Sequence, residues 1–512
     1  MTVFGTPRSV LLLFWCLTGF QVPAIPETAP PTPVHSRYPF IRDDLNLIDN
    51  NFRGLRHFYS QLEKLERGQT RQVRILHIGD SHIQADWFSG RLRLALQKRY
   101  GSAGRGLVFP YRVAKTNSPS DILSSSDAVW QAKRNISVEN PLPIGVSGIT
   151  IQTRTPDYQL EVALGPNQAH IDYTFDKVTV FANTDASSFR WISPQGQIQG
   201  LPTAISQPAR RSPDPAPKPR SVPPPKPQTK KTYHEVKTGE TLGIIAAKYR
   251  VPIKKLQELN GIEGSQIFAG QKLVVRESKI LAEPATPVFT KNVNPVFNVN
   301  EPHLTHFEVE MDRPGTRVVL EGKRTDRQQS QATLYGMVLE NSQERGILYH
   351  MVGVNGAKFE HYNAAQLFLE QVQTLDPDLI IISLGTNESI GGGFSRQAFF
   401  DELDTFVHGL EQFLPHADIL LTTPPDAIGY GGRPVGNVQR ARDVLLQYAL
   451  NNDLSCWNFY DIMGGSGSME DWHGAGLAQR DRLHLSPSGY FLQGDMLYEA
   501  LNQGYAAFRT AR

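Results

Sequence analysis

Cysteine is scarce in this chain. Its 512 residues contain two, Cys16 and Cys456, which excludes the dense disulfide framework of a small secreted scaffold. Nothing near Cys456 favours a thiolate, so it reads as a small buried residue. An excess of charge of one sign is also missing. Lys and Arg number 52 against 50 Asp and Glu, a net +2 that provides no field to steer nucleic acid or an anionic membrane. The one long apolar run, at 10–20, is too short to cross a bilayer comfortably, so no transmembrane span is expected in the mature protein. No His, Cys and Asp residues stand at metal-ligand spacing, and neither a metal nor a cofactor is expected. Gly391-Gly-Gly393 lacks the Lys-Ser/Thr ending of a phosphate loop and reads as a flexible lip of a cleft.

A chain of this length exceeds what one hydrophobic core supports, so two or more domains are expected. Arg8, the apolar run and Val22-Pro-Ala24 read as a secretory signal peptide over 1–24. Export to the periplasm or cell envelope follows. Cys16 stands in no leucine-x-small-cysteine lipobox, so lipidation there is not expected, and cleavage near Ala24 would leave Cys456 alone without an intramolecular disulfide. Residues 25–37 form a Pro- and Thr-rich lead. The 36 prolines cluster again at 202–231, which has almost no large apolar residue and reads as a solvated linker.

Residues 73–80 read as a short buried strand, and 378–384 and 417–422 as continuous apolar runs, with helical patterns at 87–100 and 396–413 following the first two. Such runs imply strands covered on both faces, hence an open parallel α/β sheet. Ser486 stands as N-cap and Pro487 as first residue of a last helix. In between, 147–154, 159–163, 177–181, 306–311 and 317–321 alternate and are bounded by turn residues, which predicts an antiparallel β-sandwich inserted into the α/β domain.

After the linker, Val236-Lys-Thr-Gly-Glu-Thr-Leu242, a helical 244–250, a second helical stretch ending Leu259-Asn260 and the closing Gly270-Gln-Lys-Leu273 closely resemble the LysM module. The resemblance implies a small strand-helix-helix-strand fold that binds peptidoglycan or a related N-acetylglucosamine-containing glycan.

A serine nucleophile needs a base, a carboxylate to orient the base, and donors for the oxyanion. Gly79-Asp-Ser-His82, Gly353-Val-Asn-Gly356, Gly385-Thr-Asn387 and Asp481-Arg-Leu-His484 together resemble the four blocks of the SGNH (GDSL-like) hydrolases. Each block alone is weak; their placement makes the set specific, since two of them follow predicted parallel strands, where open α/β sheets place their ligands. The resemblance implies a flavodoxin-like three-layer hydrolase with Ser81 as nucleophile, His484 as base and Asp481 as its orienting acid. The oxyanion donors would be the backbone N–H of Ser81, the backbone N–H of Gly356 in preference to Gly353, and the amide of Asn387. His82 stands where many members have leucine, and Glu388 where aspartate often follows the asparagine. His82 reads as a packing residue, and His473 is the alternative base.

The expected division is a signal peptide at 1–24, hydrolase at 38–112 and 346–512, sandwich at 113–201 and 277–345, linker at 202–231 and LysM at 232–276. The insert is similar in placement to the carbohydrate-binding-like insert of bacterial peptidoglycan O-acetylesterases. The expected reaction is removal of muramoyl 6-O-acetyl groups from peptidoglycan. Deacetylation of another polysaccharide, such as xylan or alginate, and a non-catalytic glycan-binding scaffold are the alternatives. The polar, Gly-rich loops at 389–396 and 426–440 argue against a lipase.

Overall fold

The computed structural model describes residues 37–48, 53–137, 142–167, 170–199, 229–237, 239–249, 253–262, 264–279, 306–390 and 392–511. The expected signal peptide, Cys16, nearly all of the lead and linker, and Gly391 lie outside them.

Five strands form the expected parallel sheet: β1 (Gln72–Gly79), β2 (Gly346–Gly353), β3 (Leu379–Ser383), β4 (Asp418–Thr422) and β5 (Ser455–Trp457). Their order is β2-β1-β3-β4-β5 with every pairing parallel, the flavodoxin-like order whose switch point lies between β1 and β3. Helices cover both faces, which is why the strands are apolar without alternation. One helix group comprises α1 (Arg56–Glu66), α3 (Phe88–Tyr100) and α8 (Pro487–Thr510); α2 (Ser81–Gln84) is the single turn that follows β1. The other comprises α4 (Phe359–Asn363), α5 (Thr386–Ile390), α6 (Arg396–Phe413) and α7 (Gly436–Asn451). Ser486 caps α8 by accepting from the Gly489 N–H at 3.2 Å, with proline in its first turn. Cys456 is buried in β5.

β2 went unread in the sequence, although Ile347-Leu-Tyr-His-Met-Val352 is a nearly continuous apolar run. Its register sets Gly353 beside Gly79, and Gly79 in turn lies beside Ser383 on β3. Three of the four sequence blocks therefore leave the sheet at one level of its carboxyl edge.

Between β1 and β2, apart from residues 229–279, the described residues build two antiparallel sheets, one of seven strands and one of four. Their strands include Ile149–Thr153, Tyr158–Leu164, Phe175–Ala182, His306–Gly315 and Arg317–Lys323, close to the alternating segments read from sequence. Gly104–Val108 pairs with Ala332–Glu340 of the larger sheet, so its hydrogen bonds join it to the insert ahead of the expected boundary at residue 113. One continuous core runs through the α/β domain and the sandwich. A buried charge network fastens the two: Arg105 binds Asp121 at 2.6 Å and Asp86 at 2.7 Å, and Arg93 binds Asp86 at 2.7 Å.

Residues 229–279 fold as strand Thr229–Glu235, helices Leu242–Tyr249 and Ile253–Asn260, and strand Lys272–Lys279. The two strands pair antiparallel, and Val236, Leu242, Ile245, Leu256 and Leu273 form a core of their own. The pairing of Thr229 with Lys279 carries this unit a few residues past the expected 232–276 at each end.

Candidate active site

Ser81 is the first residue of α2, immediately past β1. Asp80 is the N-cap: its Oδ1 accepts from the His82 N–H at 2.9 Å, which satisfies one donor at the helix start and stops the strand there. The turn leaves Ser81 half-buried rather than sealed in the core. Its Oγ lies 2.9 Å from His484 Nε2. His484 Nδ1 lies 2.7 Å from Asp481 Oδ2.

Asp481 and His484 lie on the loop that leads into α8. Arg482 between them takes a left-handed φ of 51°, and Asp481 Oδ1 accepts from the N–H groups of Leu483 and His484, each at 3.0 Å. The carboxylate thus folds the loop around itself, aiming its second oxygen at the imidazole. Partial burial would raise its pKa, but the His484 side chain and these two amides outweigh that and hold it below the ordinary carboxylate range. Residues separated by 403 positions (Ser81 to His484) are thereby set in the nucleophile-base-acid order that acyl transfer requires.

Among the described residues, the N–H groups of Ser81 and Gly356 donate to no partner. Gly356 lies in the loop between β2 and α4 with φ 83°. Gly353 ends β2, where a Cβ would come within 2.4 Å of the Gln84 backbone nitrogen; it is a close-approach position beneath α2. Asn387 reaches the site from the start of α5, and its Nδ2 donates to Asp80 Oδ2 and to the Ala357 carbonyl, both at 3.0 Å. Both amide protons are engaged in this arrangement, so donation to an oxyanion requires one of these bonds to be shared.

Two buried carboxyls stand close to the Ser81 turn. Burial pushes Asp80 up to about 7 against the pull of the His82 amide and of His484. Burial likewise pushes Glu388, which accepts from the Phe359 N–H at 2.9 Å, up to about 7. His82, set apart by the sequence only as a departure from the family, is buried and stacks on His484 with ring centroids 5.1 Å apart. His473 does not join the site and pairs with the Ala478 carbonyl at 3.3 Å. Sequence reading missed His77, which links across the sheet to Tyr349 at 2.7 Å and Ser383 at 2.8 Å. A histidine inside the first apolar run was its only signal. Among the described residues no three His, Cys, Asp or Glu side chains gather as metal ligands, and no helix is long and apolar enough to cross a membrane.

The model of the GDSL-like Lipase/Acylhydrolase family matches residues 320–492, and that of the LysM domain matches residues 234–276. A solved peptidoglycan O-acetylesterase structure is similar over 88% of this chain and 96% of its own, at 18% identity and a TM-score of 0.56; it shares the fold. An autolysin of Enterococcus faecalis is 50% identical over 46 residues, 9% of this chain and 6% of that protein. A probable endopeptidase p60 of Listeria grayi is 38% identical over 58 residues, 11% of each. The chain thus spans only 6% and 11% of the lengths of these two curated relatives. Residues 320–492 thus match the GDSL-like lipase/acylhydrolase family and residues 234–276 the LysM domain, the two regions singled out by the sequence motifs.

Proposed function

We propose that this protein is an exported serine esterase that removes muramoyl 6-O-acetyl groups from peptidoglycan, with Ser81 as nucleophile, His484 as base and Asp481 as orienting acid. The observation that carries the chemistry is the continuous Ser81–His484–Asp481 chain of contacts at 2.9 and 2.7 Å. Ser81 Oγ attacks the acetyl carbonyl carbon while His484 Nε2 takes its proton. The oxyanion is met by the N–H groups of Ser81 and Gly356 and by Asn387, which shares the proton it gives to Ala357. As the carbon–oxygen bond to the sugar breaks, His484 returns the proton to the departing C6 oxygen, leaving acetyl-Ser81. Water then attacks, its proton passing through His484 to Ser81 as acetate leaves. Asp481 stays ionised throughout and stabilises the transient imidazolium.

The substrate reading is supported by the LysM domain, by the cell-wall enzymes among the relatives, and by the named activity of the structural neighbour that shares the fold. LysM attachment raises the enzyme's concentration at the glycan without any new contact in the cleft. Export rests on the signal-peptide pattern at 1–24. The domain division proposed is that read from sequence, with the insert beginning at the strand Gly104–Val108 and the LysM unit running over 229–279.

Acetate release from O-acetylated peptidoglycan, measured beside acetylated xylan and beside Ser81→Ala, tests the proposal. Release from peptidoglycan well above xylan, abolished in Ser81→Ala, is expected. Release from xylan alone assigns another polysaccharide. No release from either, with peptidoglycan still bound, makes the protein a glycan-binding scaffold.

A further inference from the structure

His82 has the geometry of a support for the base. It is the second residue of α2 and 6% exposed. Its ring lies 5.1 Å from the His484 ring at an interplanar angle of 30°. On its other side, His82 Nδ1 pairs with the Tyr490 hydroxyl at 2.8 Å, and Tyr490 packs on Trp87 at 5.8 Å. Tyr490 belongs to α8, the helix capped by Ser486 two residues after His484. The shelf and the loop carrying the base are therefore anchored to the same helix start. His484 has a hydrogen bond at each ring nitrogen, to Ser81 and to Asp481, and these two bonds leave the ring free to rock about the line joining them. A flat group against its face removes that motion.

We infer that His82, clamped by Tyr490, is a positioning residue that holds the His484 ring in line between Ser81 and Asp481, an inference that rests on the proposed role of His484 as base. The groups facing His484 are Asp481 and Ser81 at its nitrogens, His82 on its face, and the buried Asp80 carboxyl, which acts on it through space. Burial pushes His82 down to about 3, His484 adding to the effect and Asp481 opposing it. His82 thus stays uncharged at neutral pH and does not repel the imidazolium that forms on His484. Removing the ring would loosen the base and admit water to its face.

The test is steady-state hydrolysis of p-nitrophenyl acetate by the full chain, with kcat and KM for His82→Ala, His82→Phe and Ser81→Ala. His82→Ala is expected to lower kcat about tenfold with KM changed less than about twofold. His82→Phe, which keeps a flat ring, is expected to retain kcat within about threefold. A parent-like kcat in His82→Ala, a loss carried by KM instead of kcat, or equal impairment by alanine and phenylalanine, overturns the inference. Melting curves check folding; if His82→Ala does not fold, Tyr490→Phe takes its place, with a kcat loss of about threefold at unchanged KM expected and parent kcat overturning the inference. An active Ser81→Ala overturns the proposed function and this inference together. An inactive Ser81→Ala with a parent-like His82→Ala overturns this inference alone.

Discussion

Asn387 Nδ2 donates to Asp80 Oδ2 at 3.0 Å, tying the residue before Ser81 to the block at the end of β3. Because Asp80 also caps α2 through its other oxygen, the contact sets Asn387 against the same turn that presents Ser81. Asn387→Ala is expected to reduce kcat about a hundredfold or more, the typical loss on removing one oxyanion donor. It should also destabilise the fold by about 1–3 kcal/mol, by leaving a buried acceptor short of a partner. Kinetics on p-nitrophenyl acetate and a denaturant titration measure the two effects. A kcat within twofold of the parent would remove Asn387 from the oxyanion hole.

Stability should fall as pH rises toward neutrality. Burial raises Asp80 and Glu388 to about 7 each, above their ordinary values of 3.8 and 4.5. The folded chain therefore binds these protons more tightly than the unfolded one. Between the unfolded and folded values, from about pH 4 to 7, the stabilisation is progressively lost, and above about 7 the contribution is flat. Melting temperature measured from pH 5 to 8 is expected to decline, and Asp80→Asn, which cannot ionise, to decline less. Equal slopes for the two proteins would contradict the assignment to Asp80.

Asp481 lies 2.7 Å from His484 and its side chain is 47% exposed. Replacing it by asparagine should cost about a hundredfold in kcat, less than for a fully buried triad acid, because water can solvate the imidazolium at an open site. KM for p-nitrophenyl acetate should change little. A loss concentrated in KM would mean that Asp481 acts through substrate binding instead.

Arg105 is fully buried and bound to both Asp86 and Asp121. Arg105→Met leaves these buried carboxylates short of a countercharge, and a loss of about 3–5 kcal/mol is expected. The double replacement Arg105→Met with Asp121→Leu should recover part of it, since a neutral pair restores polar balance. Thermal unfolding of the three proteins checks this, and a double variant less stable than the single would refute the explanation.

Much of this protein was legible in one sequence because its signals are local. The β-branched run of β3, the helical spacing of α6 and the Ser486-Pro487 start of α8 depend on neighbours a few residues away, and the structure shows them close to where the pattern set them. The LysM unit was legible for the same reason, its motif lying within one short stretch with a core of its own. Motif and order also named Ser81, Asp481 and His484 as candidates.

Other features were decided only by the folded chain, because they depend on contacts between residues far apart. The pairing of β2 beside β1 brings the second block to the level of the first, and the pairing of Gly104–Val108 with the insert reassigns a strand that its own residues do not mark. His82 carried no sign of lying against His484, since α8 must pack beside α3 before Tyr490 can clamp it. Raised carboxyls at Asp80 and Glu388 likewise arise from burial, which is a property of the packed surroundings and not of the sequence around them. Local sequence determined which residues could do the chemistry; packing across the carboxyl edge of the sheet decided their distances and charge states.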